Sequence, residues 1–176
     1  GGFMSLSSGV LEVFDPFTET SLVSTLFAGP IDAHPFQSGL LVTEFATGNV
    51  VLPSGHSLGS REIIATTPAP AFLAGDDDNV CLMDVLNKTV FQIIANGTIL
   101  SPPVIAATGF GAPEGIALRG ETLLVVDGGR ETLEEVDLIS GEVQTIATDL
   151  GFFLGIPGLA FGFANDVVVD HSGAVY

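Results

Sequence analysis

A serine and a histidine in this chain stand in a pattern that enzymes use for nucleophilic catalysis. Residues Gly55-His56-Ser57-Leu58-Gly59 match G-x-S-x-G, in which a sharp strand-to-helix turn exposes a serine to a histidine base. The run that follows, from Arg61 to Pro68, is β-branched and ends at a proline, which predicts a strand and not the required helix. We therefore predict no nucleophile here, and the sequence offers no other catalytic set.

Two further groups of polar residues have the chemistry of metal ligands. Gly75-Asp76-Asp77-Asp78-Asn79 places three carboxylates in one turn, but it lacks the spacing and the distal bidentate glutamate of an EF-hand loop. A solvated turn is the prediction there. His34, His56 and His171 have no short ligand spacing among them, so the sequence predicts no zinc site.

Two triplets are acceptors for N-linked glycans. They are Asn87-Lys88-Thr89 and Asn96-Gly97-Thr98, and both asparagines fall at predicted turns from which a glycan would project. They bear on localisation only in a chain secreted from a cell that glycosylates. We expect an extracellular or periplasmic protein.

The elements that position these groups follow from an internal repeat. The run Leu11 to Thr18 returns as Leu133 to Ser140, and in each copy an aspartate, Asp15 or Asp137, ends an apolar-alternating strand. The two aspartates are 122 residues apart, and a third of that is about 41 residues, the period of four-stranded propeller blades. Prolines 30, 70, 113 and 157 recur at intervals of 40, 43 and 44 residues. The chain is therefore predicted to be all-β, a β-propeller of four-stranded antiparallel blades with about four blades' worth of chain.

The repeat also predicts where each blade begins and ends. The predicted units are a half-blade 1–29, blades 30–69, 70–112 and 113–156, and a half-blade 157–176. Residues 10–27 match the third and fourth strands of a blade, whereas 166–170 and 174–176 match the first and second. A blade is thus split between the two termini.

An unpaired half-blade exposes backbone donors and acceptors, and strand pairing must satisfy them. Three routes are open: a four-bladed ring closed within one chain, pairing between copies that yields oligomers or filaments, or a longer six-bladed chain that has been cut. For assembly through the split blade, the predicted residues are Val10, Leu11, Val13, Val167, Val169 and Val175.

Composition excludes several classes of partner. Of 176 residues, 47% are hydrophobic, which is enough for a buried core. The longest apolar stretch, residues 151–164, has 14 residues interrupted by Pro157, too short for a membrane-spanning helix. Four Lys and Arg against 21 Asp and Glu leave a net charge of −17, which repels nucleic acid. Cys81 has no second cysteine to pair with and is predicted to be buried.

Two segments resemble the blade-opening pattern of the gluconolactonase and senescence marker protein family. They are Asn165 to Tyr176 and Pro113-Glu114-Gly115-Ile116-Ala117. Propellers of the NHL-repeat and strictosidine-synthase-like groups share these signatures, so the resemblance points to a superfamily of propellers.

In the lactonase-like members of that superfamily, one divalent ion lies in the central channel, held by a Glu and by Asn and Asp residues at the inner-strand starts. The resemblance places Glu114 and Asn165 at matching positions, and Asp32 at a comparable one after Pro30. It implies Ca²⁺ or another divalent cation acting as a Lewis acid on a lactone. The blade after Pro70 offers Ala71-Phe72-Leu73, which has no ligand.

In the alternative interpretation, these polar groups cap the inner strands and hydrogen-bond the channel backbone. The sequence therefore predicts a non-catalytic module for binding or self-assembly, with a metal-dependent lactonase-like hydrolase as the other hypothesis.

Overall fold

The computed structural model describes residues 2–5, 9–15, 17–18, 20–54, 60–150 and 167–176. These residues form strands and turns and contain no helix, so none of them belongs to a helix that could cross a membrane. The fifteen strands lie in four antiparallel sheets, each built from strands consecutive in sequence. This organisation confirms the predicted all-β class.

The first sheet contains β1 (Gly2–Ser5), β2 (Val10–Asp15) and β3 (Thr20–Leu26). The second contains β4 (Pro30–Phe36), β5 (Gly39–Glu44), β6 (Asn49–Ser54) and β7 (Ser60–Thr66). The third contains β8 (Pro70–Gly75), β9 (Val80–Asp84), β10 (Thr89–Ala95) and β11 (Thr98–Thr108). The fourth contains β12 (Pro113–Arg119), β13 (Thr122–Asp127), β14 (Thr132–Asp137) and β15 (Val143–Ala147).

The first strands of the three four-stranded sheets lie side by side, β4 against β8 and β8 against β12. We call these three the inner strands, since each begins a sheet that extends outward to its fourth strand. Such radial repetition of small sheets is the architecture of a propeller, and it directs the start of every inner strand toward a common channel.

In each of the three four-stranded sheets, the second strand is the most buried. Every residue of β9 is buried, and so are the last five residues of β13, because each strand has a paired strand on both sides. Both faces of β9 pack on neighbouring sheets, and one face of β13 packs on Val167, Val169 and Val175. Core clusters run from one sheet into the next; one contains Leu41 of β5 together with Leu73, Leu82 and Ile94 of the third sheet. Burial of this kind contributes about 25 cal/mol per Å² of apolar surface. The sheets are therefore held together face to face.

Strand β1 was not predicted from the sequence. It pairs with β2 from Gly2↔Val13 to Ser5↔Val10, so the first sheet has three described strands where two were expected. Strand β1 lies beside β4 as β5 lies beside β8, which gives it the position of a second strand in its sheet.

Candidate functional site

Every inner strand carries a bulge just after its opening proline. The pairing register shifts between Pro30 and Ala33, between Pro70 and Phe72, and between Pro113 and Gly115. A bulge leaves a residue out of the ladder and re-aims its side chain, and bulges are common at the rims of sites. The three bulges lie at equivalent places of adjacent strands, so the side chains beside them meet at one end of the channel.

A cavity of about 310 Å³ lies at that end, at the small end of the range for ligand pockets. Its lining comes from the three inner strands and from the chain segment that begins at Val167. The described lining residues are Ile31, Asp32, Phe72, Leu73, Glu114, Ile116 and Val167. The described wall therefore combines apolar side chains with two carboxylates, which suits a ligand that has both an apolar body and a polar head.

The carboxylate of Asp32 joins two sheets. One oxygen, Oδ1, accepts the N–H of Ala33 at 2.8 Å, and the other, Oδ2, accepts the N–H of Leu73 on the next inner strand at 2.8 Å. The backbone N–H of Asp32 donates to Oγ1 of Thr43 at 2.9 Å, and that hydroxyl lies 3.0 Å from the carbonyl oxygen of Ala71. The N–H of Leu73 and the carbonyl of Ala71, both beside the bulge of β8, are thus hydrogen-bonded to Asp32 and Thr43 of the neighbouring sheet.

Glu114 has its position set by a glycine. A Cβ built on Gly128 would lie 2.6 Å from the carboxyl carbon of Glu114, so the acid packs directly over the bare backbone at the end of β13. The N–H of Gly128 donates to the carbonyl of Ala112 at 2.9 Å, which joins this surface to the loop that precedes β12. Glycine at 128 therefore makes room for the carboxylate beside the cavity.

Two of the three metal ligands implied by the resemblance, Asp32 and Glu114, line this same cavity. Asn165 lies outside the described residues. Within the described ranges, no three His, Cys, Asp or Glu side chains are grouped to hold a metal ion. Two carboxylates fall well short of the six to eight oxygens of a Ca²⁺ site, so the described residues do not complete one.

Three buried acids with a structural role were missed in the sequence. Glu44, Asp84 and Asp127 end the second strands of their sheets, are at most 5% exposed, and each pairs in register with the proline that opens its inner strand. Each carboxylate accepts the N–H of a residue just before that proline: Ala28 at 3.0 Å, Ala69 at 3.1 Å and Ala112 at 2.8 Å. They fix the chain where it enters each inner strand.

A signal for these acids was present in the sequence. Each lies 14 residues after its proline, at 30, 70 and 113, an offset that the apolar pattern alone does not reveal.

His34, on β4 two residues beyond Asp32, is a titratable group whose pKa is changed by burial. Its Nε2 is buried without a hydrogen-bond partner among the described residues. Desolvation lowers the pKa of His34 below 6.5, against the opposing effects of Asp32, of a hydrogen bond to the Gly75 backbone, and of Asp76 and Asp77. The imidazole is therefore neutral at neutral pH.

The acidic turn predicted at 75–79 is solvent-exposed from Asp76 to Asp78. It closes on itself through Oδ1 of Asp76, which accepts the N–H groups of Asp78 at 2.8 Å and Asn79 at 2.7 Å. Oδ1 of Asp77 accepts the N–H of Gln37 from the neighbouring sheet at 2.5 Å. The carboxylates thus serve turn geometry.

Both predicted glycan acceptors lie in exposed turns, but their surroundings differ. The backbone N–H of Asn87 donates to Asp84 at 2.8 Å, and the hydroxyl of buried Thr89 donates to the Asn87 carbonyl at 3.0 Å. Asn96 and Gly97 form a hairpin tip with φ of 49° and 68°, and Thr98 beside them is exposed. Glycosylation at either stays a prediction.

Cys81 is buried in β9 as expected, and burial raises the pKa of its thiol to about 12. The segments 55–59, with His56 and the G-x-S-x-G serine, and 151–166 lie outside the described residues. His171 is in a turn near the end of the chain, away from His34 in sequence and sheet.

The residues predicted for assembly have partners within their own chain. Strand β2, which carries Val10, Leu11 and Val13, pairs with β1 on one side and β3 on the other. It is thus not an edge of its sheet. Val167, Val169 and Val175 pack with Leu124 and Val126 of β13, and Val169 and Val175 form a bridge. No described residue of 10–15 pairs with 167–170, so the described part of the chain does not form the small ring closed by its termini.

We compared the sequence and the fold with those of known proteins. No protein-family model matches the sequence, and no curated protein matches it. Solved structures match well. Virginiamycin B lyase from Staphylococcus aureus has a TM-score of 0.63 at 14% identity, over 82% of this chain and 50% of that one.

Two other similar structures are a nidogen/laminin complex and a luciferin-regenerating enzyme. The first has a TM-score of 0.64 at 15% identity, over 93% of this chain and 64% of that one. The second has a TM-score of 0.68 at 10% identity, over 99% of this chain and 63% of that one. All of these neighbours are β-propeller proteins and include both enzymes and binding modules.

The chain has the β-propeller fold, as the repeat predicted. It spans about half the length of the lyases that it matches, which makes it a partial propeller.

Proposed function

We propose that this chain is a non-catalytic, extracytoplasmic β-propeller module that binds a small ligand in the cavity at the start of its inner strands. The observation that carries the proposal is the lining of that cavity: among the described residues, five apolar side chains and two carboxylates around about 310 Å³. Small-molecule sites combine apolar side chains with a few polar groups that set orientation, and this lining has both kinds of group.

The groups of the lining are suited to binding. Among the described residues, the lining groups able to act as a base are the carboxylates of Asp32 and Glu114. One of its two carboxylates, that of Asp32, already accepts a hydrogen bond on each oxygen and links two sheets. The site therefore offers shape and charge.

A fragment soak tests the proposal. Small aromatic and aliphatic compounds should bind against Phe72 and Leu73 and compete with one another in solution. Ile31→Trp enlarges a half-buried lining side chain that belongs to none of the core clusters, and it should abolish their binding, while circular dichroism checks that the fold is kept. Fragments that never bind, or that bind equally well to Ile31→Trp, would refute a site in this cavity.

Self-association by strand addition is a second candidate, because β1 has a paired strand on one side only among the described residues. An extended segment of a second copy would add beside β1 as the inner strand of the first sheet, giving rings or filaments. Light scattering in dilute buffer should then report oligomers. A stable monomer would refute self-association by strand addition and would not bear on the proposal of ligand binding.

The convergence of Asp32 and Glu114 keeps a metal-dependent, lactonase-like hydrolase as the alternative. Calorimetric titration with Ca²⁺ and a lactone-opening assay discriminate between the two. If the protein binds Ca²⁺ saturably and opens lactones, and if Glu114→Gln loses both activities, the hydrolase hypothesis is correct and the binding proposal is wrong.

A further inference from the structure

Asn96 belongs to the one asparagine–glycine pair of the chain. It and Gly97 are the two central residues of the hairpin between β10 and β11, and both have a positive φ, 49° and 68°, as a type I′ turn requires. Residues 96–98 are exposed. Because glycine has no Cβ, its backbone nitrogen can approach the preceding side chain closely. The pair is therefore suited to a reaction between the Asn96 side chain and the Gly97 backbone.

That reaction is deamidation through a cyclic imide. The backbone nitrogen of Gly97 attacks Cγ of Asn96, so that a new N–Cγ bond forms and the bond from Cγ to Nδ2 breaks. The proton of the Gly97 N–H leaves with Nδ2 as ammonia. Water then opens the ring at one of its two carbonyls, which gives either aspartate or isoaspartate, the latter with an extra methylene in the backbone. Water is the only co-reactant, and the exposed turn is open to it.

The folded hairpin opposes this reaction. The N–H of Gly97 donates at 2.9 Å to the carbonyl oxygen of Asp78, in the turn between β8 and β9. Oδ1 of Asp76 holds that turn in shape, and a bond of 3.1 Å from Nε2 of Gln92 to Oδ1 of Asn79 joins it to β10. The nitrogen must lose its bond to Asp78 before it attacks, so the two turns must first separate.

The charge of the neighbouring turn opposes the reaction as well. The attacking nitrogen becomes anionic as it gives up its proton, and the turn that it faces carries the exposed Asp76, Asp77 and Asp78. A Cβ built on Gly97 would lie 3.8 Å from Oδ1 of Asp78. Repulsion between like charges raises the barrier, and added salt screens that repulsion.

We infer that Asn96 is a deamidation site whose rate is limited by opening of the contact between the backbones of Gly97 and Asp78. The inference concerns covalent modification of the third sheet and is independent of the proposed ligand binding. The product adds a carboxylate beside the acidic turn and, as isoaspartate, lengthens the chain next to the pair Ala95↔Thr98. Deamidation therefore disfavours return to the closed contact.

Peptide mapping by mass spectrometry measures the rate, because replacement of the amide by a carboxyl changes the mass. The protein, produced in a host that adds no glycans, is incubated in mildly alkaline buffer beside a blocked peptide of residues 94–99. The folded protein should react at least about fivefold more slowly than the peptide, as expected when one backbone hydrogen bond must open first. Protein in urea should react at the rate of the peptide. Asn87, which precedes Lys88, is the internal control and should stay intact.

Two variants relate the rate to the contact. Asp76→Ala removes the acceptor that shapes the turn, and Gln92→Ala removes the bond to Asn79 without changing the charge. Each should raise the rate at Asn96 in the folded protein by about threefold or more. Glu121→Gln removes a charge from an exposed turn of the fourth sheet and should leave the rate unchanged. Urea unfolding checks that no variant reacts faster merely because it is globally unfolded.

The outcomes are distinct for the site and for its control by the contact. A folded protein that deamidates as fast as the peptide, or variants that leave the rate unchanged, would overturn the control by the Gly97–Asp78 contact. An Asn96 that stays intact in urea for as long as Asn87 would overturn the site itself. The fragment soak tests the cavity separately, so failure of either proposal leaves the other standing.

Discussion

The buried carboxylate of Asp127 provides the sharpest test of how the site is held in place. Its side chain is 0% exposed and accepts three backbone N–H groups: Gly111 at 2.6 Å, Ala112 at 2.8 Å and Gly129 at 3.1 Å. Two of these donors lie in the loop that leads into β12 and Glu114, and the third lies just after Gly128. Asp127 therefore fixes the backbone of the two segments that surround the Glu114 carboxylate.

Asp127→Asn keeps the shape and removes the charge. Only one oxygen remains, so at least one of the three N–H groups faces an amide nitrogen, and the others lose a charged acceptor. A hydrogen bond to a charged group contributes about 1.5–3 kcal/mol, and a buried orphan donor costs about 1–3 kcal/mol. Together these predict a loss of about 3 kcal/mol, a large part of the roughly 5–15 kcal/mol of a typical domain.

Urea unfolding followed by circular dichroism measures this loss. With a slope of about 1–3 kcal/mol per molar, the midpoint should fall by roughly 1–3 M. Asp78→Asn is the matched control, because Asp78 is exposed in a turn and its change should stay within about 0.5 kcal/mol. An unchanged midpoint and slope for Asp127→Asn would refute the role that we assign to the three buried acids.

Three further predictions concern pH, reactivity and packing. Because the folded-state pKa of His34 lies below 6.5, the unfolded state binds more protons, and the free energy of unfolding should fall as the pH drops through about 6.5. Urea titrations at several pH values should show a shallower fall for His34→Gln than for the unsubstituted protein. An equally steep fall in the variant would contradict this role of His34. Asp137 and Asp170 do not interfere, since hydrogen bonds from Ser140 and Ser172 hold their pKa values below 3.8. Cys81, with a thiol pKa of about 12, should react with Ellman's reagent only after unfolding, and rapid labelling of the native protein would show that β9 is less protected than described. Leu82 lies in the same strand and is 0% exposed, so Leu82→Ala should lower the free energy of unfolding by about 2–5 kcal/mol in calorimetric melting. Leu86 is 70% exposed, so Leu86→Ala should lower it little. Similar losses in the two variants would contradict the burial of β9.

The repeat and the apolar strands could be read from the sequence because each depends on local pattern. Regular prolines and the recurrence of Asp15 at Asp137 predicted a series of sheets, and the three four-stranded sheets begin at Pro30, Pro70 and Pro113. Strand β4, PIDAHPF, has two prolines and two polar residues and does not alternate. Its pairing with β5 depends on a bulge, which is a tertiary property. Strand β1 was missed because four residues, GFMS, are too few to show a period.

The site was predictable in part. Asp32 and Glu114 were identified through family resemblance, and the structure places both at one cavity. The bond from Leu73 N–H to Asp32 could not be predicted, because it joins residues 41 positions apart across two bulges. The apolar half of the lining, such as Ile31 and Ile116, carries no chemical signal in the sequence. These apolar residues line the cavity because the inner strands that carry them lie side by side in the folded chain.

Each buried acid fixes the first residues of the same sheet to which it belongs: Glu44 holds Ala28, Asp84 holds Ala69, and Asp127 holds Ala112. A stretch of about 40 residues thus carries its own means of anchoring, whichever sheet precedes it. Gene duplication or loss of one such stretch would leave every remaining anchor intact. The number of sheets can therefore change without altering how any single sheet is anchored.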